Sequence, residues 1–107
     1  PMIPEGHPQQ LYVMKATLSP AQVNANTTAE QTFSVKGLRL ATDMICAISK
    51  PTAQAGLGIV GWRVTANDTL GITFSNNTGS GITPTASQSY LIQVARVDGE
   101  PKAAIAR

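Results

Sequence analysis

The stretch Ile59-Val-Gly-Trp-Arg-Val-Thr-Ala-Asn-Asp-Thr-Leu-Gly-Ile-Thr-Phe-Ser75 reads as two strands and the turn that joins them. In its first half Val60, Trp62, Val64 and Ala66 alternate with Gly61, Arg63 and Thr65. In its second half Leu70, Ile72 and Phe74 alternate with Gly71, Thr73 and Ser75. A period of two sends successive side chains to opposite faces of a pleated ribbon, so each half has an apolar and a more polar side. Asn67 and Asp68 stand between the halves. Both residue types tolerate the left-handed region and bond to their own backbone, which suits a tight turn. An antiparallel hairpin is predicted here.

The same period runs through most of the chain on either side. Between Gln10 and Ser19, Tyr12, Met14, Ala16 and Leu18 share one face, and from Thr32 to Lys36 the residues Phe33 and Val35 point inward. Asp43 to Ser49 is apolar on both faces, the pattern of a central strand or of one whose outer face meets a partner. Ser89 to Val97 sets Tyr90, Ile92 and Val94 against Leu91, Gln93 and Ala95, and Ala21 to Asn24 offers a weaker seventh strand. Thr27-Thr-Ala-Glu has a helix-capping pattern, but period two resumes at Thr32, so it reads as a turn. Pro51 and the glycines of the Lys50–Gly56 and Asn76–Gly81 stretches mark loops. The expected fold is all-β, a small antiparallel β-sandwich or jelly-roll-like barrel of six or seven strands.

With 107 residues the chain has room for one core. Pro1, Pro4, Pro8 and Gly6 forbid regular structure at the start, and Asp98-Gly-Glu-Pro halts the last strand. The expected organisation is an extended N-terminal arm over 1–9, a β-domain over 10–97 and a C-terminal tail over 98–107. These ends read either as frayed termini or as arms that order on a neighbouring subunit. The second reading accounts for the apolar Met2, Ile3 and Ile105.

Apolar residues make up 42% of the chain and charged ones only 13%, so disorder is excluded. The formal charge of +2 comes from singly scattered basic residues, which form no concentrated patch for nucleic acid or membrane. A polar but nearly uncharged surface points to an assembled protein, since isolated domains keep apart by interspersed charge. Cys46 is the only cysteine, so no internal disulfide forms. No basic segment followed by an apolar run marks an export signal, and no apolar run is long enough to span a membrane. The Asn26, Asn67 and Asn76 sequons read as turn chemistry.

Candidate chemistry is thin. His7 is the only histidine and sits in the proline-rich arm, a poor place for a catalytic base. Cys46 has apolar neighbours and reads as a buried, inert thiol. Asp98 and Glu100 are the only close pair of carboxylates and lie at a strand end. Gly56-Leu-Gly-Ile-Val-Gly opens a β-run and not a helix, so it fails as a nucleotide-binding loop. Trp62 and Tyr90 read as core residues, with a sugar or base platform as the alternative. No enzyme activity, metal, cofactor or small-molecule ligand is expected.

Lys36-Gly-Leu-Arg, Asp43-Met-Ile, Lys50-Pro-Thr-Ala-Gln-Ala-Gly-Leu-Gly-Ile, Thr65-Ala-Asn-Asp-Thr-Leu-Gly-Ile-Thr-Phe and Gly81-Ile-Thr-Pro-Thr-Ala before Tyr90-Leu-Ile-Gln-Val follow one another in an informative order. Over residues 30–97 the chain resembles small β-structured proteins of tailed-bacteriophage particles, most of all capsid decoration (cement) proteins. The individual elements are short, and the specificity lies in their succession. The resemblance implies a virion protein, made in the bacterial host cytoplasm, that sits on the capsid surface as a homotrimer and ties neighbouring major capsid protein subunits together. Met2, Ile3, Pro4, His7, Pro8 and Ile105 are the candidate capsid or subunit contacts on this reading. A neck, tail or baseplate protein, or a carbohydrate-recognition module on the virion, are the alternatives.

Overall fold

The structure, a computed structural model, describes residues 9–97. Six strands appear among them: β1 (Gln9–Leu18), β2 (Thr27–Ser34), β3 (Asp43–Ser49), β4 (Leu57–Ala66), β5 (Thr69–Asn76) and β6 (Gln88–Val97). They form two three-stranded antiparallel sheets, β1-β6-β3 and β2-β5-β4. The β4–β5 hairpin is the one connection that stays within a sheet, while every other consecutive pair of strands passes from one sheet to the other. The expected all-β, sandwich-like architecture is the one observed.

Alternation explains why β5 and β6 are central. Leu70, Ile72 and Phe74 from β5 and Tyr90, Ile92 and Val94 from β6 are all fully buried in one core. Each such side chain contributes roughly 1.5–3 kcal/mol by leaving water. Tyr12, Met14 and Ala16 on β1, Phe33 on β2, Ile48 on β3 and Leu57 and Ile59 on β4 close over that core from the flanking strands.

The predicted hairpin forms, with Asp68 at φ 61° in the left-handed region. The turn also anchors the long β2–β3 connection. Asp68 accepts hydrogen bonds from the amides of Val35 (2.9 Å, on its carbonyl) and Gly37 (2.8 Å, on Oδ1), and donates its own amide to the Leu38 carbonyl at 2.7 Å. Asn67 Oδ1 accepts from the Leu40 amide at 3.0 Å. Buried Asn76 does similar work at the other end. Its Nδ2 donates to the carbonyls of Val23 (3.0 Å) and Ser80 (2.8 Å), and its Oδ1 accepts from the Thr78 amide and hydroxyl. A half-satisfied amide in that position would cost stability, and this one is fully paired.

Four local readings are corrected. Thr27-Thr-Ala-Glu is the start of β2 and not a turn, because pairing with β5 runs unbroken from Thr27↔Asn76 to Ser34↔Thr69 and outweighs local capping chemistry. Ala21 to Asn24 is no strand: it makes a single bridge, Val23↔Ile82. In β4 the expected apolar face of Val60, Trp62, Val64 and Ala66 is broken twice. Ile59 pairs with Phe74 and Gly61 with Thr73, so Val60 is an unpaired extra residue, and Thr65 is another between Val64↔Leu70 and Ala66↔Thr69. Each bulge shifts the phase by one, which turns Ile59 inward beside the core residue Val64 and leaves Val60 exposed. The same device corrects β3. It lies at a sheet edge, and Cys46 is the extra residue between Ile45↔Val94 and Ala47↔Gln93. Its thiol is therefore exposed and not a core group.

Candidate interaction surface

The two sheets differ on their outer faces. On β2-β5-β4 the outward positions are Thr28, Glu30, Thr32 and Ser34, then Thr69, Gly71, Thr73 and Ser75, with Arg63 on β4. This face is polar. Arg63 Nε and Nη2 donate to the two Glu30 oxygens at 2.8 and 2.9 Å, across the central strand. Gly71 makes that crossing possible, since a Cβ there would stand 2.7 Å from Glu30 Oε2.

On β1-β6-β3 the outward positions form rows set by register. Leu11, Ala95 and Met44 make the first row, Val13, Gln93 and Ala47 the second, and Lys15, Leu91 and Ser49 the third. Thr17 and Ser89 follow. Leu11 (65%), Val13 (62%), Met44 (61%) and Leu91 (44%) are exposed large apolar side chains, and Ala95 is covered between Leu11 and Met44. Lys15 is the only charged side chain among the described residues of this face. A sheet apolar on both sides is normally covered on both.

At the Leu11 end of the same sheet, a polar cluster points inward. The Asp43 carboxylate is fully buried and Arg96 holds it through Nε–Oδ1 at 2.6 Å and Nη2–Oδ2 at 2.7 Å. The Arg39 amide donates to Oδ2 at 2.9 Å and the Thr42 hydroxyl to Oδ1 at 3.0 Å, while the Arg96 guanidinium carbon lies 5.2 Å from the centre of the Tyr12 ring. Burial by itself pushes the Asp43 carboxyl up, but the hydrogen bonds from Arg96, Arg39 and Thr42 more than reverse it and leave it at about 2. Burial, then the neighbouring Asp43 charge, raises the Tyr12 phenol. Every charge in the cluster is compensated within it, so it locks the β2–β3 connection to β6.

A small cavity of about 230 Å³ opens at the opposite end of the sandwich, lined by Ile48, Lys50, Gln54, Leu57 and Phe74 among others. Lys50 Nζ is engaged by the Thr52 carbonyl at 2.7 Å and Gln54 Oε1 at 3.0 Å, and burial lowers its pKa. Gln54 in turn bridges to Thr83 and Thr85. The polar groups here close a loop on itself.

The candidate residues of the sequence do not gather at one place in the structure. Met2, Ile3, Pro4, His7, Pro8 and Ile105, together with Asp98 and Glu100, lie outside the described residues. Tyr90 is sealed in the core and cannot stack on a ligand from solvent. Trp62 is a third exposed, and its Nε1 donates to the Ile45 carbonyl at 3.1 Å, tying β4 to β3 along one side of the sandwich. Among the described residues no three His, Cys, Asp or Glu side chains come together as a metal site, and no helix is long and apolar enough to cross a membrane. The apolar outer face was the feature that residue-by-residue reading missed. Its signal was present in the positions opposite the core-facing ones, where Leu11, Val13 and Leu91 stand in place of polar residues. No protein-family model, curated protein or solved structure matches the chain.

Proposed function

We propose that this protein is a structural component of a tailed-bacteriophage virion, which binds the outside of the capsid and cements neighbouring major capsid subunits without turnover. Two supports stand behind this reading. One is the ordered resemblance over residues 30–97. The other, which carries it, is the apolar outer face of β1-β6-β3, a surface suited to being covered by protein. A partner that binds only the assembled shell adds its own binding free energy at every site it fills, so reinforcement is the expected mechanism. On this reading the candidate arm contacts Met2, Ile3, Pro4, His7, Pro8 and Ile105 extend the grip across a seam.

Mixing the purified chain with shells of its phage tests the reading. Saturable binding at hundreds of copies per particle, with a raised temperature of shell disruption, is the expected result. A dozen or fewer copies at one vertex or on the tail places it in the neck, tail or baseplate instead, and no particle association overturns the virion reading.

A further inference from the structure

We infer that the open edge of β1 is a strand-docking site, where an extended segment of the capsid protein pairs as a fourth strand of the β1-β6-β3 sheet. The inference rests on the reading above for the source of that segment and adds the mode of attachment. Three observations carry it.

The first is which backbone groups are free. The Val97 amide donates to the Thr42 carbonyl at 3.1 Å, in line with the Asp43↔Arg96 register, so odd-numbered residues of β6 bond toward β3 and even-numbered ones toward β1. Gln10, Tyr12, Met14, Ala16 and Leu18 stand opposite those even-numbered residues, and their amides and carbonyls are spent on β6. Leu11, Val13, Lys15 and Thr17 present theirs to the open side in one straight run. Only an extended backbone matches a row of that kind.

The second is the contrast with the other edges, β3, β4 and β2. β3 and β4 are bulged, and the bond from Trp62 Nε1 to the Ile45 carbonyl joins them. β2 carries Glu30 and has Ala21 fastened beside it, since the Gln31 side chain donates to the Ala21 carbonyl at 2.9 Å and accepts from its amide at 2.7 Å. β1 has ten residues without proline or bulge, and among the described residues no hydrogen bond reaches its open side. A long regular edge is a template for strand addition.

The third is the side chains, which state what the added strand carries. Tyr12, Met14 and Ala16 point inward yet are only partly buried, unlike Tyr90, Ile92 and Val94 on the neighbouring strand. Apolar residues at every second position of an added strand would cover them. On the outward side Leu11 and Val13 are exposed, and Lys15 stands in no ion pair among the described residues. A lysine on an edge discourages indiscriminate pairing and admits a strand with an acid opposite it. The segment is therefore apolar opposite Leu11 and Val13 and bears Asp or Glu opposite Lys15.

Hydrogen exchange of β1 peptides, in the full chain alone and bound to shells of its phage, tests this by mass spectrometry. The amides of Leu11, Val13, Lys15 and Thr17 should exchange freely in the unbound chain and slow by about tenfold or more on the shell. Val13→Pro removes an edge donor without touching a bond to β6, a position where proline is tolerated. With an unchanged circular dichroism spectrum it should weaken shell binding by about tenfold or more, and Lys15→Glu should do the same. Thr32→Pro should bind as the wild type does, because the Val35 amide bond to the Asp68 carbonyl places the Thr32 amide on the open side of β2. Shell binding unchanged by both Val13→Pro and Lys15→Glu, or β1 amides that exchange alike free and bound, overturns the inference while the proposed function stands. Edge amides already slow in the unbound chain mean that a second copy or residues 98–107 fill the edge, and overturn it as well. A wild type that binds no shell overturns the proposed function and the inference with it.

Discussion

Asp43 and Arg96 are direct cross-strand partners in the β3–β6 register, and the guanidinium grips both oxygens of a carboxylate that solvent does not reach. A paired, fully hydrogen-bonded buried carboxylate resists protonation. Its pKa of about 2 in the fold, against 3.8 ordinarily, makes its contribution complete above about pH 4 and lost as pH falls through about 2. The shift corresponds to about 2 kcal/mol. Urea midpoints measured between pH 5 and pH 2 should fall accordingly, and Asp43→Asn should show a much flatter profile in that window. Asp43→Ala should cost about 3 kcal/mol at neutral pH, because Arg96 and the Arg39 amide lose their acceptor.

Tyr90 presents the opposite case. Its hydroxyl is buried without a hydrogen-bond partner, and burial raises its pKa. A phenol so placed has given up water for nothing, at about 1–3 kcal/mol. Tyr90→Phe should therefore leave thermal stability unchanged or raise it by up to about 1 kcal/mol. A loss of more than that would show that the hydroxyl is bonded in solution.

Two nearby glycines should respond differently to the same substitution. Gly56 has φ +80°, and a Cβ there would lie 2.1 Å from Thr78 Cγ2, whereas a Cβ on Gly58 meets nothing within 4 Å. Gly56→Ala should destabilise by about 2 kcal/mol or more, through strain and displacement of the Asn76–Thr78 loop. Gly58→Ala should be neutral or stabilise by about 0.5 kcal/mol, as fewer unfolded conformations compete. Denaturant midpoints of the two variants decide the point.

Cys46 should label in the folded protein. Its place at the β3 bulge exposes the thiol, so a maleimide should modify it stoichiometrically without denaturant. Cys46→Ser should change stability by no more than about 0.5 kcal/mol. Modification that requires unfolding would return the side chain to the core.

What was legible in the sequence was what period two states locally. The hairpin at Asn67 and Asp68, the inward Tyr12–Leu18 face and the inward Tyr90, Ile92 and Val94 all follow from alternation within one strand. The bulges at Cys46, Val60 and Thr65 do not, because an extra residue is defined only by the partner strand that skips it. Once a bulge enters, all side chains beyond it change sides, and the inward placement of Ile59 was lost to that effect. The extent of β2 was hidden for a related reason: Thr27 to Glu30 take their conformation from β5, some 43 to 49 residues away along the chain. The outer face was legible in principle, since Leu11, Val13 and Leu91 need only be asked what their own side faces. The candidate contacts Met2, Ile3, Pro4, His7, Pro8 and Ile105 lie outside the described residues.

The bulges fall on β3 and β4, which Trp62 joins along one side of the sandwich, while β1 and β2 on the other side pair without a break over ten and eight residues. Broken register discourages strand addition, and regular register invites it. The molecule is thus one-handed toward fibril growth: a stray strand can dock beside β1 or β2, yet the far side offers no matching template to pass the addition on. Accidental strand addition in this protein is therefore confined to the β1 and β2 edges.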